Sequence, residues 1–392
     1  METLHSDRVR QLAHGVREDA IAWRRHLHAN PETSFNERET ARYVFDQLAS
    51  FGLRPYHPTP TSVVASIEGV FSGRCLAIRA DMDALPITEE TGLPFASQTP
   101  GAMHACGHDG HTAMLLGAAK VLSALRGELQ GEVRLLFQHA EELFPGGAQE
   151  MVDAGVLDGV DMVIGTHLWL PLTSGRIGIA AGPLTAAPDT FSIEVLGRGG
   201  HAAQPHLTVD PVPLAAQIIL ALQQLVSREA DPLRPAVLSV TQVHAGTADN
   251  VIPDRVTLGG TVRTFDEDVR KLFERRIGEV AEGLCAAFGA TCTHRYQRGY
   301  RPIRNDAAVS AALAAALREV LGEEVVEEAV PSMVGEDFSA YQQRVPGCFF
   351  WLGSRNEAKG IVYPHHHARF TIDEDVLETG VAAFVGAALH LL

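Results

Sequence analysis

Three β-type runs in the first half of this chain each end on residues that carry chemistry. Residues 75–80 (CLAIRA) run into Asp81-Met82-Asp83. Residues 132–138 (EVRLLFQ) run into His139-Ala140-Glu141-Glu142, and residues 160–166 (VDMVIGT) into His167. Short apolar runs that alternate with helical segments are strands of a sheet with substantial parallel content. In such sheets ligands bind beyond the carboxyl ends of the strands. An Asp after a strand is ordinarily a turn or capping residue, and a Glu pair ordinarily a solvated face. The coincidence at three strand ends is what points to one shared site.

The alternation continues along the chain. Residues 36–51 carry helical periodicity and meet Gly52 as a stop; 62–68 read as a strand and 110–125 as a helix. Residues 189–297 read differently: strand 190–196, helix 211–227, strand 236–244, strand 254–264, helix 266–287, strand 290–296. That β-α-β-β-α-β order is the split pattern of a ferredoxin-like domain. Helix 307–320, strand 348–353 and helix 375–391 then resume the first pattern. The expected fold is α/β, with a large domain over 1–188 and 298–392 interrupted by a smaller ferredoxin-like domain over 189–297.

Composition narrows the function. The 392 residues carry a net charge of −16, a poor match to nucleic acid or an anionic membrane surface. Five cysteines, none in a CxxC pair, fit free thiols in a reducing compartment. The N-terminus is polar and lacks a signal-peptide apolar run, and no stretch approaches the roughly 18 apolar residues of a spanning helix. A cytoplasmic location is expected.

The segment MHACGHDGH (103–111) places His104, Cys106, His108, Asp109 and His111 close together. Thiolate plus imidazole across one glycine suits Zn²⁺ and related ions. YPHHHARF (363–370) adds three adjacent histidines, which cannot all face one ion. Counting Cys106, His108, Glu142, His167 and one of His365, His366 and His367 gives five protein ligands. One tetrahedral ion takes four at most, so five fit two ions that share a bridging group. Glu141, beside a ligand and not needed as one, is the natural general base. No HExxH helix, GxSxG elbow or phosphate loop is present.

RRHLHANPE (24–32), RADMDALPI (79–87), GAMHACGHDGHTAMLLG (101–117), FQHAEE (137–142), GTH (165–167), GRGGHAAQPH (197–206), ADNVIPD (248–254), GTVRTFD (260–266) and GEDFS (335–339) stand in order. Together they resemble the amidohydrolase subgroup of the aminoacylase/carboxypeptidase metallopeptidase family, over nearly the whole chain. The resemblance implies an amidase with two divalent ions per subunit, Zn or Mn ahead of Co or Ni. It implies a metallopeptidase-type catalytic domain and an inserted lid domain through which a homodimer forms. It assigns the ligands as Cys106, His108, Glu142, His167 and His366, Glu141 as the base, and Asp83 as a residue that orients a ligand. His201 and Asn250 resemble contacts to substrate or transition state, with His201 reaching the partner's site, and Arg263 is a candidate for the substrate carboxylate. His139 and Ala368 stand where the family usually has Pro.

The function so implied is hydrolysis of the amide bond of N-acyl amino acids, metal-activated water attacking the carbonyl with Glu141 as base. The alternatives are a carboxypeptidase acting on short peptides, an amidase with Cys106 as nucleophile, and a binding protein on the same fold. Metal dependence separates the metal-dependent readings from the Cys106 amidase, and the presence of all five ligands and the base disfavours the binding protein.

Overall fold

The computed structural model describes residues 2–392, with side chains from Ser6 onward. The chain divides into two compact units. The first comprises Met1–Leu184, Ile303–Val330 and Asp337–Leu392; the second comprises Thr185–Pro302 and Pro331–Glu336.

The first unit is built on a mixed seven-stranded sheet. Its order is Val63–Glu68, Gln130–Gln138, Phe71–Asp81, Met162–Thr173, Gly347–Arg355, Ile177–Ile179, Val326–Glu328. The four strands from Gln130–Gln138 to Gly347–Arg355 run parallel, and Val63–Glu68 closes one side antiparallel. Alternation along each strand feeds two cores. In Phe71–Asp81, Leu76, Ile78 and Ala80 enter one core while Cys75 and Ala77 enter the other. In Gly347–Arg355, Cys348, Phe350 and Leu352 face the first core, Phe349 and Trp351 the second. Both faces of a parallel sheet must be covered, which is why these strands read as nearly unbroken apolar runs.

Helix His108–Ala124 is buried almost all round, from His108 to Leu122. It packs against helix Val376–Leu391, where Gly380 permits contact: a Cβ there would fall 1.9 Å from Met114 Sδ. A surface helix would show one polar face. This one shows none because it is the central element over the sheet, and it carries the CGHDGH motif at its N-terminus.

The second unit has a four-stranded antiparallel sheet in the order Thr291–Gln297, Ala187–Leu196, Arg255–Thr264, Ala236–Ala245. Helices Pro211–Gln224 and Glu267–Ala287 supply the rest of its core, with Leu214, Ile218, Leu222, Phe273 and Ile277 packed on Ile193, Val195, Leu258 and Val262. Asp210 and Asp266 cap the two helices through backbone N–H groups. The first helix stops short of the expected 227, because Leu225–Glu229 widens into a π turn closed by Ala230 N–H on Leu225 O. Pro331–Glu336 also falls in this unit rather than in the large domain expected from sequence. Ser332 bridges Thr185, and Val334 O accepts the N–H of Ala186.

A buried ion pair anchors this unit. Asp189 receives Arg270 through Nε at 2.7 Å and Nη2 at 2.5 Å, the Tyr296 hydroxyl at 2.7 Å and the Gly299 N–H at 2.8 Å. Removing one partner of such a pair leaves the other charge without compensation in low dielectric. Arg270→Met is therefore expected to cost about 3–5 kcal/mol, read as a lowered urea midpoint. A midpoint within error of wild type would mean that Asp189 is satisfied without the guanidinium.

Candidate active site

The carboxyl ends of the parallel strands converge on one cluster in the first unit. Asp81 ends Phe71–Asp81, and Asp83 follows two residues on. Glu141 and Glu142 follow Gln130–Gln138. His167 lies within its strand rather than beyond it, since Met162–Thr173 continues six residues past it. Gly107, left-handed at φ 91°, turns the chain from Cys106 into the helix that begins at His108.

The ligating atoms of these residues lie together. Cys106, His108 and His167 form one group within 4.8 Å, as do Cys106, Glu142 and His366, and His108, Glu141 and Glu142. Cys106 Sγ is 3.4 Å from His167 Nε2, and His366 Nε2 is 3.2 Å from Glu142 Oε1. His108 Nε2 lies 4.0 Å from the same carboxylate oxygen. Among the three adjacent histidines, His366 faces the cluster. His365 donates to Leu168 O at 2.8 Å and stacks on Trp169, while His367 stacks on Tyr363.

Each imidazole is oriented from its far nitrogen. His108 Nδ1 donates to Asp83 Oδ1 at 3.1 Å, and His167 Nδ1 donates to Leu168 O at 2.8 Å. Both arrangements leave Nε2 with a lone pair toward the cluster, the form a metal ligand needs. His108 Nε2 and Glu142 Oε1 are buried without a well-directed hydrogen bond, the nearest partner of Oε1 being His366 Nε2 at 3.2 Å. Under-bonded buried acceptors are costly, and a thiol, three imidazoles and a carboxylate together are the donor set of first-row divalent ions. The residues fit a metal centre.

Electrostatics point the same way. Burial alone would lower His108, but Asp81, Asp83 and Glu142 lift it to about 10, so these carboxylates favour positive charge at Nε2, a proton that a metal ion would displace. Burial and the carboxylates of Glu142, Glu141 and Asp81 push the Cys106 thiol well above its ordinary value. Burial and the neighbouring histidines hold His167 well below its own. The cluster has an excess of negative charge that a cation would balance.

Further residues support the cluster, among them Asp81, Asp109 and His111 from the segments noted in the sequence and others that were not singled out there. Asp81 is held by Arg79 at 2.7 Å and by His111 Nδ1 at 2.5 Å, and His111 Nε2 accepts the N–H of Leu168. Ser34 donates to Asp83 Oδ2 at 2.6 Å. Glu37, raised to about 7 by burial and by Asp83, accepts the N–H of Ala140 at 2.8 Å. Arg24 and His28 both bond Asp109 Oδ2 at 2.8 Å in the first turn of the central helix. The helical spacing of Arg24 and His28 was a usable signal; nothing local marks Ser34 or Glu37.

The three remaining candidates belong to the second unit. His201 and Asn250 are exposed and neighbour each other: Gly200–His201 pairs with Val251–Ile252, and Ala202 N–H donates to Asn250 O at 3.0 Å. Arg263 lies on strand Arg255–Thr264 and bonds Thr261 Oγ1 and Val262 O.

The chain is similar in sequence and fold to known proteins. The chain is 57% identical over 300 residues to an N-acyl-L-amino acid amidohydrolase of Geobacillus stearothermophilus, covering 76% of this chain and 81% of that one. It is 41% identical over 384 residues to thermostable carboxypeptidase 2 of Saccharolobus solfataricus, covering 96% and 97%. The Bacillus subtilis YXEP protein, a dinuclear metal-binding peptidase of the M20 family, superposes with a TM-score of 0.83 at 38% identity, covering 96% and 99%. Residues 77–390, which include every proposed ligand and the base, match the model of peptidase family M20/M25/M40, and the chain belongs to that family.

Proposed function

We propose that this protein is a metal-dependent hydrolase of the amide bond in N-acyl amino acids. The observation that carries the reading is the cluster of Cys106, His108, Glu142, His167 and His366, whose buried His108 Nε2 and Glu142 Oε1 make no well-directed hydrogen bond, with Glu141 beside it. These five residues would hold two divalent ions, zinc or manganese ahead of cobalt or nickel. When bound, the ions polarise the scissile carbonyl and acidify water.

The chain's own residues do the rest. Asp83 fixes the His108 ring through Nδ1, and the Leu168 carbonyl does the same for His167. Glu141, nearly fully buried, takes the proton of the attacking water and returns it to the departing amine. His366 is the exposed member of the set. His201 and Asn250 contact the substrate or the developing oxyanion, and Arg263 holds the substrate carboxylate through its planar fork. The protein works as a homodimer through the second unit. Its five free thiols favour a reducing cytoplasmic setting.

A second reading, cleavage of the C-terminal residue of short peptides, draws on the carboxypeptidase relative and would use the same machinery. A Cys106 nucleophile is disfavoured. Its thiol is raised by burial and by three carboxylates, the opposite of an activated cysteine.

A panel of N-acyl amino acids, their amides and short peptides, assayed with metal-free enzyme and with each ion restored, tests the reading. Activity should vanish on chelation and return with a divalent ion, and the free acids should be cleaved far better than their amides. Full activity in verified metal-free protein would end the two-metal reading; equal rates on acid and amide would remove the role of Arg263.

The adjacent glutamates should separate. Glu141→Gln keeps its metal and loses about 10²–10⁴-fold in rate, the ordinary contribution of a general base. Glu142→Gln loses metal as well. Elemental analysis of the two purified variants decides, and a metal-poor Glu141→Gln would exchange the roles.

His201→Ala should retain metal and fold while kcat falls about 10²–10³-fold. If His201 acts in the partner's site, mixing it with Glu141→Gln rebuilds one complete site per mixed dimer. Recovery then approaches about a quarter of wild type after random exchange. No recovery despite demonstrated exchange would confine His201 to its own subunit.

A further inference from the structure

Among the described residues, three other than glycine hold left-handed backbone: Phe35 at φ 67°, Ala140 at 50° and His366 at 65°. A side chain in this region crowds its own backbone, so the conformation lasts only where the surroundings impose it. At two of the three, the same atom is bonded to the strained peptide. Glu37 Oε1 accepts the N–H of Phe35 at 2.9 Å and the N–H of Ala140 at 2.8 Å.

Glu37 is fully buried and stands just before helix Arg38–Ser50, yet its side chain caps nothing there. Its other oxygen, Oε2, has no hydrogen-bond partner. A buried carboxyl of this kind is a cost to stability. What it secures is a turn 103 residues away in sequence.

That turn leads directly into Glu141 and Glu142. Its other polar groups are also fixed. Ala140 O accepts from Gly147 N at 3.0 Å, His139 O accepts from Gln138 Nε2 at 3.2 Å, and His139 Nε2 meets Glu150 at 2.9 Å. Position 147 admits no side chain, because a Cβ there would lie 2.0 Å from His139 O. The strand, the loop after Pro145 and the N-terminal segment thus close on one peptide, and Glu37 is the contribution of the N-terminal segment.

We infer that Glu37 is the positioning residue of the Glu141–Glu142 pair, its Oε1 locking the peptide before Glu141 in the left-handed turn and so aiming both glutamates at one centre. The inference rests on the roles given to Glu141 and Glu142 above. Glu37 acts through Ala140, and what matters is an acceptor oxygen at that point rather than a charge.

Three variants separate geometry from charge. Glu37→Gln keeps an oxygen for both N–H groups; Glu37→Ala removes it; Glu37→Asp withdraws it by one methylene and serves if the alanine variant does not fold. Glu37→Ala or Glu37→Asp should lose about 10²-fold in kcat with KM little changed, as expected for a small misplacement of a reacting group. Its affinity for Mn²⁺, measured by equilibrium dialysis, should weaken about 10-fold. Glu37→Gln should recover most of both. Hydrogen exchange of the peptide spanning Ala140 gives a readout independent of activity: protected in wild type and Glu37→Gln, fast in Glu37→Ala or Glu37→Asp. Wild-type kcat and protection in Glu37→Ala would overturn the inference, as would a Glu37→Gln variant as impaired as Glu37→Ala. Failure of the functional reading looks different: wild type itself would be inert on every amide, while the Mn²⁺ and exchange measurements would still decide the place of Glu37.

Discussion

One buried carboxylate, Asp83, ties together the segments that form the site. Its Oδ1 receives His108 Nδ1, and its Oδ2 receives the Ser34 hydroxyl and the Glu142 N–H. Those donors come from the start of the central helix, the N-terminal segment and the loop after strand Gln130–Gln138. Burial would push this carboxyl up, but its donors hold it below its ordinary value. A charge taken out of water costs several kcal/mol unless its lone pairs are used. The arrangement is therefore cooperative: shifting any one donor leaves Asp83 under-bonded and loosens its hold on the other two.

The same accounting extends outward through a run of buried charges unusual for an acidic protein. Arg79 is fully buried and binds Asp81, Asp337 and Gln138 at once. Arg24 is buried against Asp109 and reaches Glu374. Each guanidinium faces more than one acceptor, which its planar fork allows and an ammonium would not. Arginine thus offsets the carboxylates around the cluster, while His108 Nε2 and Glu142 Oε1 nearest its centre face each other, Asp81 and His366 at 3.2–4.0 Å and make no well-directed hydrogen bond.

Much of this was legible because strands and helices announce themselves by period. The strands that end at Asp81 and Gln138 were readable from apolar patterning alone, whereas the one holding His167 runs on to Thr173, past the end expected for it. The β-α-β-β-α-β order of 189–297 matches a four-stranded sheet with two helices. Choosing among His365, His366 and His367 was beyond periodicity. It turns on the left-handed φ of His366 and the aromatic stack that captures His365. Ser34 and Glu37 were equally hidden, since each acts through a partner distant in sequence, Asp83 and Ala140. The helix Arg17–Ala29 was missed for another reason: its charged residues mask buried Ala20, Ile21, Trp23 and Leu27, which do recur at helical spacing.

The stack around His365 has a practical consequence. Trp169 lies against Trp351 with ring centroids 4.4 Å apart and against His365 at 5.2 Å, and Trp351 meets His167 edge-on at 6.2 Å. The chain has three tryptophans, and two of them form this pair. Indole emission responds to the charge and mobility of what it touches. The protein thus carries a built-in optical probe at the rim of its own centre, with Trp23 alone as background, and events at His167 or His365 can be followed in the native chain without a label.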